Sequence, residues 1–329
     1  MNAFARLNLA LGIACAAALA LAVALGETTL SADQWREAFV DPTSGPADVL
    51  WRIRAPRAAC ALFVGAALGL GGAVMQGLLR NPLAEPGVLG VSAGGGAAAA
   101  LAIVLGLASV PGGVELASVA GAGLAALALL AFVQRVPSPA GLILFGVALS
   151  ALGAAGTALV FNLAPTPLAA AEVMAWLMGS VENRGWAEVA WIVAPAALAA
   201  GLAHLCGPGL RGLALGEDTA RTLGLRLQRL RTLALLAASL AAGAAVAVAG
   251  AIGFVGLVAP HLVRRFVRDD PGRLWAPSAL AGGLILMVAD LAVRIIPTEQ
   301  ELKLGVVTSL VGAPLFALIA ARAARSWRS

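Results

Sequence analysis

Long runs of apolar residues fill most of the chain, and short polar stretches separate them. A helix that crosses the hydrocarbon core of a membrane needs about 20 apolar residues, and most of the runs are near that length. The pattern therefore predicts an all-α polytopic membrane protein with ten transmembrane helices, at residues 7–25, 58–79, 88–108, 114–133, 140–163, 187–206, 232–251, 252–267, 274–296 and 304–324. The eighth run is short and rich in glycine, which predicts a tilted, half-buried or broken helix.

The first apolar run has some features of a cleavable signal peptide, because it follows Arg6 and ends in small residues such as Ala22 and Ala24. Its roughly 19 residues exceed the usual 7 to 15 of a signal-peptide core, which favours a spanning helix. Residues 27–51 follow as a polar segment with several acids and prolines. This composition predicts an extramembrane loop with a short helix around Trp35.

The overall composition supports a membrane protein. Hydrophobic residues make up 60% of the chain, charged residues 12%, and the mean hydropathy is +0.93. A water-soluble domain with this composition would lack polar residues to cover its surface, so we expect residues 1–329 to form a single transmembrane domain in the lipid bilayer. The net charge of +5 does not indicate nucleic acid, because the arginines lie in short loops between apolar runs.

Lysine and arginine are distributed unevenly between the two sides that ten spans define. With the N-terminus in the cytoplasm, about fifteen of these residues fall inside and about seven outside, as the positive-inside rule requires. An even number of spans places both chain ends on one side. We therefore expect a multi-pass protein with both termini in the cytoplasm.

The residues that could carry chemistry are few. Cys15, Cys60 and Cys206 lie in separate apolar runs, and the two histidines lack the spacing of a zinc site, so we assign no metal and no cofactor. The single lysine, Lys303, is not part of a phosphate-binding loop, so an ATPase of that type would be another chain. We expect a transport subunit rather than an enzyme, with an ion-coupled secondary transporter as the main alternative.

One polar interruption stands out, at residues 213–226. Gly216 is suited to begin a short helix and Gly224 to end it. Glu217 and Asp218 then fall in the first turn, where the positive end of the helix dipole favours acids. The stretch therefore predicts a short exposed helix within a polar region of about residues 207–231.

Ala220 and Leu223 are three residues apart, which would give this helix one small apolar face. Such a face fits a groove on another protein. A solvated loop helix without a partner explains the same residues equally well from the sequence physics.

Asp290 is the one acid well inside a predicted span, and Arg294 lies four residues further on the same helical face. A structural ion pair and a role in transport both explain this pair. The many glycines, such as Gly65 and Gly69, predict close packing between helices. A substrate path lined by small residues is the alternative for some of them.

Several motifs, in order along essentially the full length, resemble the permease subunits of ABC importers for iron siderophores, haem and cobalamin. The motifs are RIRAPRAACALFVGAALGLGGAVMQGLLRNPLAEPGVLGVSAG at 52–94, WLMGS at 176–180, LGEDTARTLG at 215–224, AGAIGFVGLVAPHLVR at 249–264, ADLAVR at 289–294 and GVVTSLVGAPLF at 305–316. Any one glycine-rich run would be a weak signal, but together these motifs are specific.

The resemblance implies a type II ABC importer permease in the bacterial inner membrane, working as a homodimer with two ATPase subunits below and a periplasmic binding protein above. It implies that the helix of Gly216, Glu217, Asp218, Ala220, Leu223 and Gly224 couples to the ATPase. It also implies that Arg54, Arg57 and Arg294 receive carboxylates of the binding protein, with anchoring in lipid headgroups as the alternative.

Two places depart from the pattern of the family. Its cytoplasmic gate, between the fourth and fifth spans, corresponds here to Pro137, Ser138, Pro139 and Ala140, where two prolines suggest a stiffer turn. Lys303 stands where the family commonly has proline, before the last span. The sequence does not distinguish siderophore, haem and cobalamin as the transported chelate.

Overall fold

The computed structural model describes residues 3–26, 28–136, 138–296 and 301–326, and every regular element within these ranges is helical. The α-helices of six or more residues are α1 (Ala3–Ala24), α2 (Ala32–Val40), α3 (Ala55–Leu79), α4 (Val91–Val104), α5 (Gly113–Arg135), α6 (Pro139–Asn162), α7 (Pro167–Leu177), α8 (Trp186–Ala214), α9 (Glu217–Thr222), α10 (Leu227–Ala249), α11 (Val255–Arg264), α12 (Trp275–Ile295) and α13 (Leu304–Ser326). The prediction of an all-α polytopic membrane protein is confirmed.

Each predicted span coincides with a helix, but the helices differ in length. By length and composition, seven of the described helices can cross a membrane, namely α1, α3 with its N-terminal extension to Gly45, α5, α6, α8, α10 and α12. Helices α4 and α7 and the segment Leu304–Leu318 of α13 are apolar but shorter. Helix α7 was not predicted as a span.

The third and eighth predicted spans, at 88–108 and 252–267, form short helices because the backbone turns at their ends. The run at 88–108 forms only the 14 residues of α4, since Gly90 and Gly106 both have a φ of 78°, which is left-handed and ends a helix. In the eighth run, α11 has 10 residues and begins after Phe254, whose φ is 66°. The expected short or broken helix is therefore present.

The segment between α1 and α3 contains the predicted short helix around Trp35. Helix α2 begins at a capping box, in which the Ser31 hydroxyl accepts from the Gln34 backbone N–H and the Gln34 side chain accepts from the Ser31 N–H. A π-helical stretch, Asp48–Arg54, then leads directly into α3. This continuous backbone fixes the arginines of the stretch at the start of a buried helix.

Helices α3 and α10 form the centre of the bundle, and most of their side chains are buried. Glycines allow α3 to approach α12 closely, because a Cβ atom on Gly65 would lie 2.3 Å from the Gly282 carbonyl oxygen. A Cβ on Gly69 would lie 2.1 Å from the Ser278 oxygen. The close packing predicted for Gly65 and Gly69 is confirmed, and it leaves no room for a transport path at these two positions.

Candidate functional site

The short helix α9 has the bounds that its glycines predict. Gly216, with a φ of 107°, precedes the helix, and Gly224, with a φ of 78°, follows it. The Gly224 N–H donates to the Arg221 carbonyl and the Leu225 N–H to the Ala220 carbonyl, which is the Schellman pattern. Both turns need positive φ, which glycine adopts without strain.

Glu217 ties α9 to the centre of the bundle. The Arg231 side chain, nearly buried on α10, donates from Nη2 to Glu217 Oε1 at 2.7 Å. Arg221 also contacts Glu217 and Asp218, at 3.4 and 3.2 Å. A displacement of α9 would therefore act on α10 through the ion pair between Glu217 and Arg231.

Of the two residues expected to form the apolar face of α9, one is buried in the chain and the other is exposed. Ala220 is 0% exposed, so other parts of the same chain cover it, whereas Leu223 is 62% exposed. Leu215, just before the helix, is 65% exposed. The apolar surface that α9 offers to a partner is thus formed by leucines at its two ends and not by Ala220.

A buried ion-pair network joins the start of α3 to the C-terminal part of α12, at the end of the bundle opposite α9. The Arg57 guanidinium donates from Nε and Nη2 to Asp290 Oδ1, at 3.0 and 2.8 Å, and from Nη1 to Glu301 Oε2 at 2.9 Å. Arg294 pairs with the other oxygen of Asp290. The ion pair expected between Asp290 and Arg294 is present, and Arg57 and Glu301 extend it to four residues.

Arg54 and Arg294 also hold the C-terminal end of α1. Arg294 Nη1 donates to the Ala22 carbonyl at 2.9 Å, and Arg54 Nη1 donates to the Ala24 carbonyl at 2.9 Å. Arg54 reaches the Thr28 carbonyl as well. The last carbonyls of a helix lack partners within it and carry partial negative charge, so these two guanidinium groups cap α1.

The structure thus brings Arg57 and Arg294 together around Asp290 and places Arg54 beside them at α1. None of the three projects freely, since Arg54 is 5% and Arg294 8% exposed, and the Arg57 side chain is 12% exposed. Docking of a partner here stays a prediction. Anchoring in lipid headgroups does not account for side chains that are paired inside the protein.

Lys303, the departure noted before the last span, has an internal partner. Its Nζ donates to Glu182 Oε2 at 2.7 Å, and the Gly305 N–H donates to the Gly179 carbonyl at 3.2 Å. The start of α13 is therefore fixed to the loop after α7 by an ion pair and a backbone hydrogen bond.

The predicted gate residues lie around the start of α6. Pro137 is outside the described residues. The Ser138 hydroxyl accepts from the Gly141 N–H at 2.9 Å, and Pro139 occupies the first turn, while Ala140 is exposed. In these positions Ser138 is an N-cap and Pro139 stiffens the first turn, so the segment forms a firm helix start.

Sequence reasoning missed Glu85, Glu182 and Glu301, because their partners are distant in the chain. Glu85 Oε1 accepts from the Phe254 N–H at 2.9 Å, just before α11. Desolvation by burial raises the pKa of the Glu85 carboxyl, and the bond from Phe254 lowers it in part. A glutamate between two prolines, in the motif NPLAEP, was the available signal.

A cavity of about 430 Å³ lies next to the start of α13, with Glu182 and Lys303 in its lining. Arg184 and Glu115, also in the lining, form an ion pair at 3.2 Å. Among the described residues, no group of three or more His, Cys, Asp or Glu side chains is arranged to hold a metal ion. Four ionisable groups of this cavity thus form two ion pairs, Lys303 with Glu182 and Arg184 with Glu115.

Comparison with known proteins gives one consistent result. The family model of the FecCD transport family matches residues 14–322. The vitamin B12 import system permease proteins BtuC of Salmonella typhi and of Salmonella typhimurium are each 40% identical over 281 residues, 84% of this chain and 84% of theirs. A solved chain of a metal-chelate type ABC transporter, in an inward-facing conformation, matches with a TM-score of 0.84 at 28% identity, over 97% of this chain and 99% of its own.

Proposed function

The chain belongs to the FecCD transport family, and from this premise we propose that it forms the path by which cobalamin crosses the bacterial inner membrane. It is a membrane-spanning permease of an ABC importer of the metal-chelate and cobalamin type, not an enzyme. The observation that carries the choice of cobalamin is the 40% identity to vitamin B12 permeases over most of both chains.

The proposed assembly is a homodimer with two ATPase subunits and one periplasmic binding protein. Because the chain has no phosphate-binding loop, the energy of ATP has to reach it through contact with another subunit. The proposed orientation has both termini in the cytoplasm, which places α9 on the side where ATP is available.

We assign the coupling contact to the region of about 207–231, with Gly216, Glu217, Asp218, Ala220, Leu223 and Gly224 in distinct roles. Exposed Leu223 supplies apolar contact with the ATPase. Buried Ala220 fixes α9 on its own chain, and Glu217 passes movement to α10 through Arg231, at 2.7 Å. A lever needs a firm attachment to the bundle as well as a free surface, and α9 has both.

The binding protein is proposed to dock on the opposite side, around Arg54, Arg57 and Arg294. The gate is proposed at Pro137, Ser138, Pro139 and Ala140, where the firm start of α6 would keep the turn stiff while the two halves of the dimer move. Both assignments rest on the resemblance of the motifs to the family.

Cobalamin uptake tests the proposed function directly. The chain, expressed with the neighbouring ATPase and binding-protein genes in a strain that lacks its own vitamin B12 permease, should restore uptake of radiolabelled cyanocobalamin. In proteoliposomes that contain the purified chain with these partners, orthovanadate, which stops ABC-type ATPases, should abolish ATP-driven cobalamin transport, and a protonophore should leave its initial rate unchanged.

Ferric siderophore and haem serve as competing cargoes in the same cells. Uptake of one of these without uptake of cobalamin would change the proposed substrate, but the chain would still act as the permease of an ABC importer. Uptake that survives orthovanadate and collapses with the ion gradient would instead show an ion-coupled secondary transporter.

A further inference from the structure

The partners of the three arginines proposed for docking differ in how easily a carboxylate of another protein could replace them. Arg54 donates to helix-end carbonyls of α1, and Arg294 is shared between the Ala22 carbonyl and Asp290. These partners are main-chain carbonyls at the end of α1 and a fully buried carboxylate. Arg57 contacts Asp290 as well, but its second partner is Glu301, which lies in the non-helical segment before α13.

Exposure separates the two carboxylates that Arg57 contacts. The Asp290 side chain is 0% exposed and that of Glu301 is 13% exposed. Asp290 binds two guanidinium groups from within the bundle, whereas Glu301 lies at the edge and contacts Arg57 through both of its oxygens. A carboxylate arriving from outside could therefore replace Glu301 without disturbing Asp290.

The charges of this network are balanced. Arg57 and Arg294 carry two positive charges, and Asp290 and Glu301 carry two negative charges. With Glu301 in place, the network offers no net charge to an acidic partner. Removal of Glu301 leaves one net positive charge at Arg57, whose side chain is 12% exposed, and a largely desolvated charge of this kind binds an opposite charge strongly.

We propose that Glu301 is an internal substitute for a carboxylate of the docking protein, and that docking exchanges one for the other on Arg57. The inference rests on the proposed function, since it specifies the contact with the binding protein. It assigns Arg57 as the single receiving arginine in each protomer and makes Arg54 and Arg294 positioning residues that hold α1.

The exchange has a consequence for α13. The Lys303 carbonyl accepts from the Val306 and Val307 N–H groups, at 3.0 and 3.2 Å, so Lys303 directly precedes the first turn of this helix and Glu301 lies two residues before it. Glu301 holds the segment to α3, and Lys303 holds it to Glu182. Release of Glu301 removes one of these two tethers, and docking thereby loosens the start of α13.

Binding of an acidic peptide tests the exchange without the rest of the importer. The full chain in nanodiscs of zwitterionic lipid is titrated with fluorescein-labelled hexaglutamate, and hexaglutamine is the uncharged control. Glu301→Gln should bind hexaglutamate roughly tenfold more tightly than the wild type. Adding Arg57→Gln should remove this gain.

Glu182→Gln is the matched control, because it also frees one cation of the same segment, Lys303, but leaves Arg57 paired. Hydrogen exchange at Leu304 to Thr308 should be faster in Glu301→Gln, and in the wild type when hexaglutamate is added. The proposal is overturned if Glu182→Gln gains as much affinity as Glu301→Gln, if Arg57→Gln leaves the gain intact, or if Glu301→Gln binds like the wild type. These measurements use no cargo and no ATPase, so a failed cobalamin assay and a failed exchange are distinguishable.

Discussion

The ion-pair network around Asp290, at one end of the bundle, and helix α9, at the other end, differ in how far their charged side chains are exposed. In the network, the Arg57 and Arg294 side chains are at most 12% exposed and pair inside the chain, and Asp290 is fully buried. At the end with α9, Asp218 has a 98% exposed side chain, and Leu223 and Arg221 are also open to solvent. The sequence motifs suggest a partner surface at each end, but the side chains assigned to it are exposed at Asp218 and Leu223 and paired inside the chain at Arg57 and Arg294.

This difference has a physical basis. Charges inside a low-dielectric bundle need partners, because an unpaired buried ion costs several kcal/mol. Charges on an exposed helix gain little from pairing and remain free for other contacts. We therefore expect substitutions in the network around Asp290 to act mainly on folding, because they leave a buried charge without a partner, and substitutions on the exposed side of α9 to act mainly on assembly with a partner.

The largest effect on stability is expected from Asp290→Ala. This change leaves Arg57 and Arg294 buried with one carboxylate between them, and breaking a buried pair in this way costs about 3 to 5 kcal/mol. Thermal and denaturant unfolding of the purified chain in detergent measures the loss. A value below about 1 kcal/mol would mean that water solvates the network.

Asp48→Ala is the matched control for this prediction. Asp48 pairs with Arg52 at 3.1 Å, but their side chains are 46% and 73% exposed. An exposed pair of this kind contributes about 0 to 1 kcal/mol, so the control should unfold nearly as the wild type does.

The second largest effect is expected at the attachment of α9. Glu217→Gln weakens a charge-assisted hydrogen bond to Arg231, which contributes about 1.5 to 3 kcal/mol when it is buried and less here, because Glu217 is partly exposed. Glu217→Arg adds repulsion and places a cation at the helix start, unfavourable by about 0.3 to 1 kcal/mol. In these variants ATP-dependent uptake should therefore decrease more than the amount of folded protein does, whereas Asp218→Asn should preserve both.

Uptake and ATPase assembly measured for the same purified variants decide this prediction. If Glu217→Arg kept wild-type uptake and assembly, α9 would not be the coupling helix. A loss in Asp218→Asn equal to that in Glu217→Arg would point to the general charge of the helix and not to the link with Arg231.

The pH dependence of stability is expected to include Glu85. Desolvation raises the pKa of its carboxyl above the ordinary value of about 4.3, so the folded chain binds a proton more tightly than the unfolded chain. The contribution of Glu85 is then most favourable below that ordinary value and is lost as pH rises through the raised pKa. Glu85→Gln keeps an acceptor for the Phe254 N–H, and its unfolding temperature should fall less with rising pH than that of the wild type.

Much of the fold could be predicted from the sequence, because membrane spans depend on local composition. The apolar runs located α1, α5, α6 and α12 within a few residues. Helix α7 was missed because Glu172 and two prolines interrupt its apolar pattern. The ends of α4 depend on left-handed turns at Gly90 and Gly106, which a hydropathy pattern does not reveal.

The site was less predictable, because its contacts join distant residues. The pair of Asp290 and Arg294 was visible from a spacing of four on one helix. Glu301 lies 244 residues from Arg57, and no local pattern connects them. Sequence spacing also placed Ala220 and Leu223 on one face, but packing against the rest of the chain covers Ala220 and leaves Leu223 open.

The smallest effect on stability, with a large effect on assembly, is expected from Leu223→Asp. Leu223 is 62% exposed, and surface substitutions of this kind usually change stability by within about 0.5 kcal/mol. A groove on the ATPase that receives this leucine would instead have to bury a carboxylate, which costs far more than the lost apolar contact. Co-purification of the ATPase with the chain should fail for Leu223→Asp and persist for Leu223→Met, which keeps an apolar side chain of similar size. If both variants retain the ATPase equally, Leu223 faces solvent in the assembled importer, and the surface of α9 that the ATPase contacts lies elsewhere, with the exposed Leu215 as the next position to change.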